Sequence, residues 1–141
     1  MKNAENHMRL YLPSLSINEC MARQAVASFV AQLNPTIEEL ADIKCAVSEA
    51  VTNAIVHGYK YKSGIVYIGV KYDNRTVVIE VRDNGCGIEN VQEAMTPLFT
   101  TDTSGERSGM GFAVMQTFMD KLDVRSTINK GVRILMTKHL K

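Results

Sequence analysis

Apolar and polar residues repeat along this chain with two different periods, and the switches between them mark its elements. Near the N-terminus Met8, Leu10 and Leu12 alternate with Arg9 and Tyr11, the period of a half-buried strand. Pro13 cannot donate to a ladder, so this strand is expected at an edge. From residue 16 the period becomes helical. Ala22, Ala25, Val26, Phe29, Val30 and Leu33 form one buried stripe and leave Glu19, Arg23 and Gln24 toward solvent. Ser16-Ile17-Asn18-Glu19 has the S-x-x-E form of a capping box, which predicts the helix start. Asn34-Pro35 ends the helix, because the residue before a proline avoids the α region. A second box, Thr36-Ile37-Glu38-Glu39, opens a longer helix whose core face is Leu40, Ile43, Val47, Ala50, Val51 and Ala54. Gly58 is expected to close it as a left-handed C-cap.

The period then returns to two. Ile65–Tyr72 and Thr76–Arg82 read as a hairpin across Asp73-Asn74. Residues 83–108 are rich in turn formers, with a short helical candidate at Glu89–Met95. Gly109 to Asp120 is helical in pattern, with Phe112, Met115 and Met119 on one face and Met110 also read as core. Asp123–Thr127 and Val132–Lys138 flank a turn at Asn129-Lys130-Gly131. Helices beside adjacent hairpins predict an α+β fold: a two-layer sandwich with helices on one face of a mixed, mostly antiparallel sheet.

Composition narrows the class. With 141 residues, 45% of them apolar, the chain suits one domain over 1–141. A net charge of +1 argues against binding nucleic acid by charge neutralisation. No apolar run approaches the about 20 residues of a membrane span, and the N-terminus lacks a signal peptide's apolar block. Three scattered cysteines fit a reducing cytoplasm, with Cys20 and Cys45 expected as small, partly buried side chains. Three dispersed histidines, His7 and His139 among them solvated, and no CxxC pair argue against structural zinc.

Three constellations could carry chemistry. Glu49, Asn53 and His57 stand at i, i+4 and i+8, one stripe along the second helix. A carboxamide there could serve Mg²⁺ and a carboxylate could act as general base; the plain alternative is a solvated helix face. Asp83-Asn84-Gly85-Cys86-Gly87 follows a strand. Its carboxylate suits an exocyclic amine such as adenine's and its glycines allow close backbone approach, although a tight turn would look the same. Ser108-Gly109-Met110-Gly111-Phe112 opens a helix, where free N–H groups and the helix dipole favour phosphate. No Walker loop, dinucleotide fingerprint or protein-kinase signature accompanies it. Arg107 beside these glycines is a candidate phosphate clamp or partner contact. Pro97 to Gly105 is long and polar with an apolar anchor at Leu98-Phe99, the make-up of a lid.

The order of the motifs is more specific than any one of them. Glu49-x-x-x-Asn53-Ala54-x-x-His57-Gly58, then Asp83-x-Gly85-x-Gly87, then Gly109-x-Gly111 resembles the nucleotide site of the GHKL (Bergerat-fold) ATP-binding superfamily, which includes gyrase, Hsp90, MutL and histidine kinases. Ser48 to Tyr59, Pro97-Leu98-Phe99-Thr100-Thr101 and Glu106 to Phe112 are similar, more narrowly, to the sporulation anti-sigma factors of that superfamily, which are also serine-protein kinases. The likeness runs over nearly the whole chain. It implies a Bergerat-type fold with ATP between the long helix and the lid, Asn53 holding Mg²⁺, and Glu49 orienting or deprotonating the attacking hydroxyl. It implies that Asp83 accepts from the adenine amine, that Gly85 and Gly87 shape the pocket, and that Thr100, Thr101 and the Ser108–Gly111 backbone close on the phosphates. Its implied partners are a sigma F-like sigma factor and an anti-anti-sigma protein as serine substrate, met by Arg23 and Arg107 of a homodimer, with no nucleic acid or membrane. Two departures stand out: Val132 follows Gly131 where the family often has threonine, and Cys86 fills the free position of D-x-G-x-G.

Two other classes remain. A histidine-kinase ATP-binding domain or a gyrase- or MutL-like ATPase would need a phosphoacceptor helix or a transducer domain, and the N-terminus is expected to be complete without them. A protein that uses ATP only to set its binding shape would not need a base at Glu49.

Overall fold

The computed structural model describes residues 5–95 and 111–141. Five strands form one sheet in the order β1-β2-β3-β5-β4: β1 (Asn6–Pro13), β2 (Ile65–Asp73), β3 (Thr76–Asp83), β4 (Lys121–Thr127) and β5 (Gly131–His139). All four pairings are antiparallel, so the parallel component allowed for in a mixed sheet is not present among them. β1 lies at the edge, as the proline at its end requires.

One face of the sheet carries the helices α1 (Asn18–Val30), α2 (Ile37–Asn53) and α4 (Gly111–Phe118); the short α3 (Val91–Ala94) lies between β3 and the last two strands in sequence. The periodicity works as the pattern predicts. Ala22, Val26 and Val30 of α1, Ile43, Val47 and Ala50 of α2, and Met115 of α4 are fully buried against Ile68, Ile79 and Met136 of the sheet. Each of the valines, isoleucines and methionines among them contributes on the order of 1.5–3 kcal/mol by leaving water. The opposite face stays open and polar, with Glu80 bridging Arg133 at 2.5 Å and Arg82 lying 4.1 Å over the Tyr67 ring.

The two predicted capping boxes part company. At Thr36 the box forms in full: Thr36 Oγ1 accepts from Glu39 N at 3.0 Å, and Glu39 Oε1 accepts from Thr36 N at 2.9 Å. At Ser16 it does not. The N-cap is Ile17, no side chain caps it, and Glu19 instead accepts the hydroxyl of Ser48 on α2. A partner across the helix pair wins over the local backbone because it also pins α1 to α2.

Gly58 is likewise not a left-handed C-cap. After Asn53 the helix widens into a π-helical turn, Ala54–Gly58, closed by Tyr59 N donating to Ala54 O at 2.8 Å. The positive-φ residues that turn the chain away are Lys60 (52°) and Tyr61 (63°). Cys20 and Cys45 are exposed, not partly buried, because each lies on the solvent side of its helix. Among the described residues no helix is long and apolar enough to cross a membrane.

Candidate nucleotide site

The site is built where the π-helical turn meets the end of β3. Gly58 packs directly on the Asp83 carboxylate: a Cβ there would lie 2.8 Å from Asp83 Cγ. Gly85 packs on Gly58 in turn, and a Cβ on Gly85 would fall 2.1 Å from Gly58 O. Only glycines allow two backbone segments to close over a carboxylate in this way. Cys86 N then donates to Gly58 O at 2.9 Å and fixes the loop on the helix end. Gly87 turns the chain out with φ of 79°, and Ile88 N donates to Ser126 Oγ at 2.6 Å on β4.

These contacts surround a cavity of about 640 Å³, within the range of roughly 300–1,000 Å³ typical of small-molecule sites. Its polar wall holds Asn53, His57, Lys60 and Asp83; its apolar wall holds Ile88, Ala94, Phe112, Val132 and Ile134. A flat heteroaromatic ring with an amine edge suits that division.

Asp83 is the electrostatic centre. The residue is only 8% exposed, and burial pushes its carboxyl from an ordinary 3.8 up to about 6, against the opposing hydrogen bonds from Gly85 N, at 2.9 Å to Oδ1, and from Val132 N. A ligand N–H reaching this carboxylate would restore the ionised form. The other polar anomaly is Asn53, whose Nδ2 is buried without a hydrogen-bond partner among the described residues. A buried amide left in this state marks a place where a ligand is expected to complete the bonding.

The structure thus brings Asn53, Asp83, Gly87 and Gly111 together on one cavity, with Gly85 behind Asp83 as the packing piece. Glu49 stands one helical turn before Asn53, half-buried, and is not among the residues that line the cavity. Arg23 lies on α1, away from it. Thr100, Thr101, Arg107, Ser108, Gly109 and Met110, and the lid expected at 97–105, lie outside the described residues. Cys86 lines the cavity and donates its thiol to His57 O at 3.2 Å. Val132 lines it too, so the position after Gly131 presents methyl groups where a hydroxyl would donate. The pattern missed the apolar wall: Ile88, Ala94 and Phe112 come from three separate segments, and only the fold makes them neighbours.

Mg²⁺ fits this wall as a ligand-borne ion. Among the described residues no cluster of three or more His, Cys, Asp or Glu could hold a metal alone. A lone carboxamide such as that of Asn53 suits an ion that keeps waters and takes its other ligands from phosphates.

Residues 15–138 match the family model of the histidine kinase-like ATPase domain. The chain is 57% identical to the anti-sigma F factor of Thermoanaerobacter sp. (strain X514) over 96% of its own length and 94% of that protein. It is 54% identical to the anti-sigma F factor of Anoxybacillus flavithermus and 53% to that of Clostridium acetobutylicum, at 93% and 94% of their lengths. The catalytic domain of the histidine kinase ThkA superposes with a TM-score of 0.59 over 96% of both chains at 16% identity, a likeness of fold alone.

Proposed function

The chain belongs to the anti-sigma F factor family and carries a histidine kinase-like ATPase domain, and from that premise we propose that it is a switchable antagonist of a sigma factor that also transfers phosphate from Mg-ATP to a serine of an anti-anti-sigma protein. The observation that carries the nucleotide part is the buried Asp83 carboxylate in a 640 Å³ cavity that also holds Asn53, whose Nδ2 has no hydrogen-bond partner among the described residues. Asp83 accepts from the adenine amine, and the apolar wall around Phe112 and Ile134 takes the ring faces. Asn53 is the residue to hold Mg²⁺, which when bound neutralises phosphate charge. Glu49, one turn earlier on the same helix, receives the serine hydroxyl's proton or orients that hydroxyl. Thr100, Thr101 and the backbone of Ser108 to Gly111 close on the phosphates. Catalysis of this kind rests on positioning and charge neutralisation, which a rigid helix wall supplies. Arg23 and Arg107 meet the protein partners, the chain acts as a homodimer, and its place is the cytoplasm.

A second reading follows from Glu49 standing off the cavity wall: a binding protein that uses ATP only to set its shape. The purified chain with γ-labelled ATP, Mg²⁺ and an anti-anti-sigma protein separates the two. Label on the partner's serine that disappears in Glu49→Ala, with ATP affinity kept within about threefold, supports the kinase; uniform absence of label with intact ATP binding leaves the nucleotide-gated binder.

A further inference from the structure

Tyr59, just past the π-helical turn, does not line the cavity, yet its side chain holds the strand end from which Asp83 reaches in. Its hydroxyl donates to Ile65 O at 2.5 Å and accepts from Asn84 N at 2.7 Å. A phenol has one proton to give, and this bridge uses it. The register of the sheet shows what the bridge replaces. β2 and β3 pair from Asp73↔Thr76 to Tyr67↔Arg82, and the same count carried on would set Ile65 opposite Asn84. Asp73↔Thr76 closes a two-residue turn, so every second pair from it, Ile65 with Asn84 included, belongs to the set that exchanges ladder bonds. The hydroxyl oxygen therefore stands where Asn84 N would otherwise donate straight to Ile65 O. One such bond spans about 2.9 Å, and two bonds through an oxygen span more. The end of β3 is thereby held off β2.

The wedge is itself fixed. Tyr59 N donates to Ala54 O at 2.8 Å, Lys62 N donates to Tyr59 O at 2.9 Å, and the ring lies on Gly64, where a Cβ would fall 2.4 Å from Tyr59 Cε1. Beyond Asn84 the chain crosses onto the helix end: Gly85 N donates to Asp83 Oδ1 at 2.9 Å, and Cys86 N donates to Gly58 O at 2.9 Å. We propose that Tyr59 is a positioning residue of the nucleotide site, whose hydroxyl wedges the end of β3 away from β2 and so sets the place of the Asp83 carboxylate for an adenine amine. The proposal rests on the reading of Asp83 given above. Without the hydroxyl, Asn84 N closes directly on Ile65 O, and the carboxylate is drawn with it away from Gly58. Selectivity follows from the chemistry of the two purines. Adenine offers an N–H to an acceptor where guanine presents a carbonyl oxygen, so the place of the carboxylate bears on ATP and little on GTP.

The test titrates the full chain with ATP and, separately, with GTP, each with Mg²⁺. Wild type is expected to favour ATP. In Tyr59→Phe the ATP affinity falls about tenfold while GTP affinity stays within about twofold, so the selectivity shrinks. Tyr11→Phe, which takes the same hydroxyl from an exposed residue of β1, changes neither affinity. Gly64→Ala keeps the hydroxyl but displaces the ring; it gives the same loss of selectivity and carries the test should Tyr59→Phe fail to fold. Equal loss for both nucleotides makes Tyr59 merely structural, and unchanged selectivity shows that its hydroxyl places nothing. Either result overturns the proposal and leaves the reading of Asp83 intact. A wild type with no preference for ATP overturns the reading of Asp83 itself, and this proposal with it.

Discussion

Two acidic residues show nearly the same surface exposure in this molecule, Glu39 at 6% and Asp83 at 8%, yet their carboxyls are shifted in opposite directions. Glu39 is held below the ordinary range. It accepts from the backbone of Thr36, then from Lys141 N at 2.8 Å, and its bonds outweigh its burial. Asp83 accepts from Gly85 and Val132 too, yet burial dominates and the carboxyl rises to about 6. Local bonding satisfies the first group and leaves the second asking for a donor. Surface exposure alone therefore does not separate the two; the depth of the carboxyl itself, set against the hydrogen bonds it accepts, does.

That contrast breaks most sharply at Asp83. Asp83→Asn exchanges the charged acceptor for a neutral amide, one of whose two positions donates instead of accepting, and should weaken ATP binding by about 100-fold in a calorimetric titration. The same change should stabilise the nucleotide-free fold. A carboxyl raised from 3.8 to about 6 has its contribution fully present below 3.8 and lost as pH rises through about 6, so above that pH the native chain carries a penalty on the order of 3 kcal/mol. Melting of wild type and variant from pH 4 to 8 should therefore diverge as pH rises, and parallel curves would remove the special status of Asp83. ATP affinity of the wild type should fall as pH drops below about 6, where the carboxyl gains a proton.

Next in size is Gly58→Ala. Its methyl would meet the Asp83 carboxylate at 2.8 Å, so the π-helical turn must shift. Overpacking of this kind costs about 1–3 kcal/mol, and ATP affinity should fall roughly tenfold with it, both read in one thermal-shift titration. Retained affinity at full strength would show that Gly58 does not position the carboxylate.

Smaller effects belong to Glu39 and, last, to Ser16. Thr36→Ala should cost about 1 kcal/mol and leave ATP affinity unchanged. Its pH dependence runs the other way: a depressed carboxyl stabilises above the unfolded value near 4.5 and loses that stabilisation as pH falls. Glu39→Gln should accordingly be most harmful at neutral pH and nearly silent in acid. Ser16→Ala should change stability by less than about 0.5 kcal/mol, because no box forms there.

Much of this was readable from the sequence. The helical stripe through Ala22, Val26 and Val30 and the alternation in β2 and β3 are short-range patterns, and they place the layers. The turn residue Asn74 adopts φ of 54°, as its type suggests. Asn53, Asp83 and Gly87 were legible as polar or flexible residues in a fixed order. Legibility failed where a distant partner overrode a local rule. Ser16-x-x-Glu19 carries the same signature as Thr36-x-x-Glu39, yet Ser48, 29 residues on, claims Glu19. Gly58 has the look of a C-cap, yet the Asp83 carboxylate 25 residues later decides its role. The apolar cavity wall has no periodic trace, since its members are brought together only by the sheet and α4.

The widened turn at Ala54–Gly58 acts as an extra residue threaded into an otherwise regular helix. Deleting one residue there would let the backbone relax into ordinary α geometry and lose nothing in hydrogen bonding. It would also re-aim the side chains of the turn itself, His57 of the cavity wall among them, relative to the carboxylate. The length of this short segment is thus a specification in its own right. Two chains that agree in every residue type around the cavity, but differ by one in the count between Asn53 and Tyr59, would present different surfaces to the same ligand.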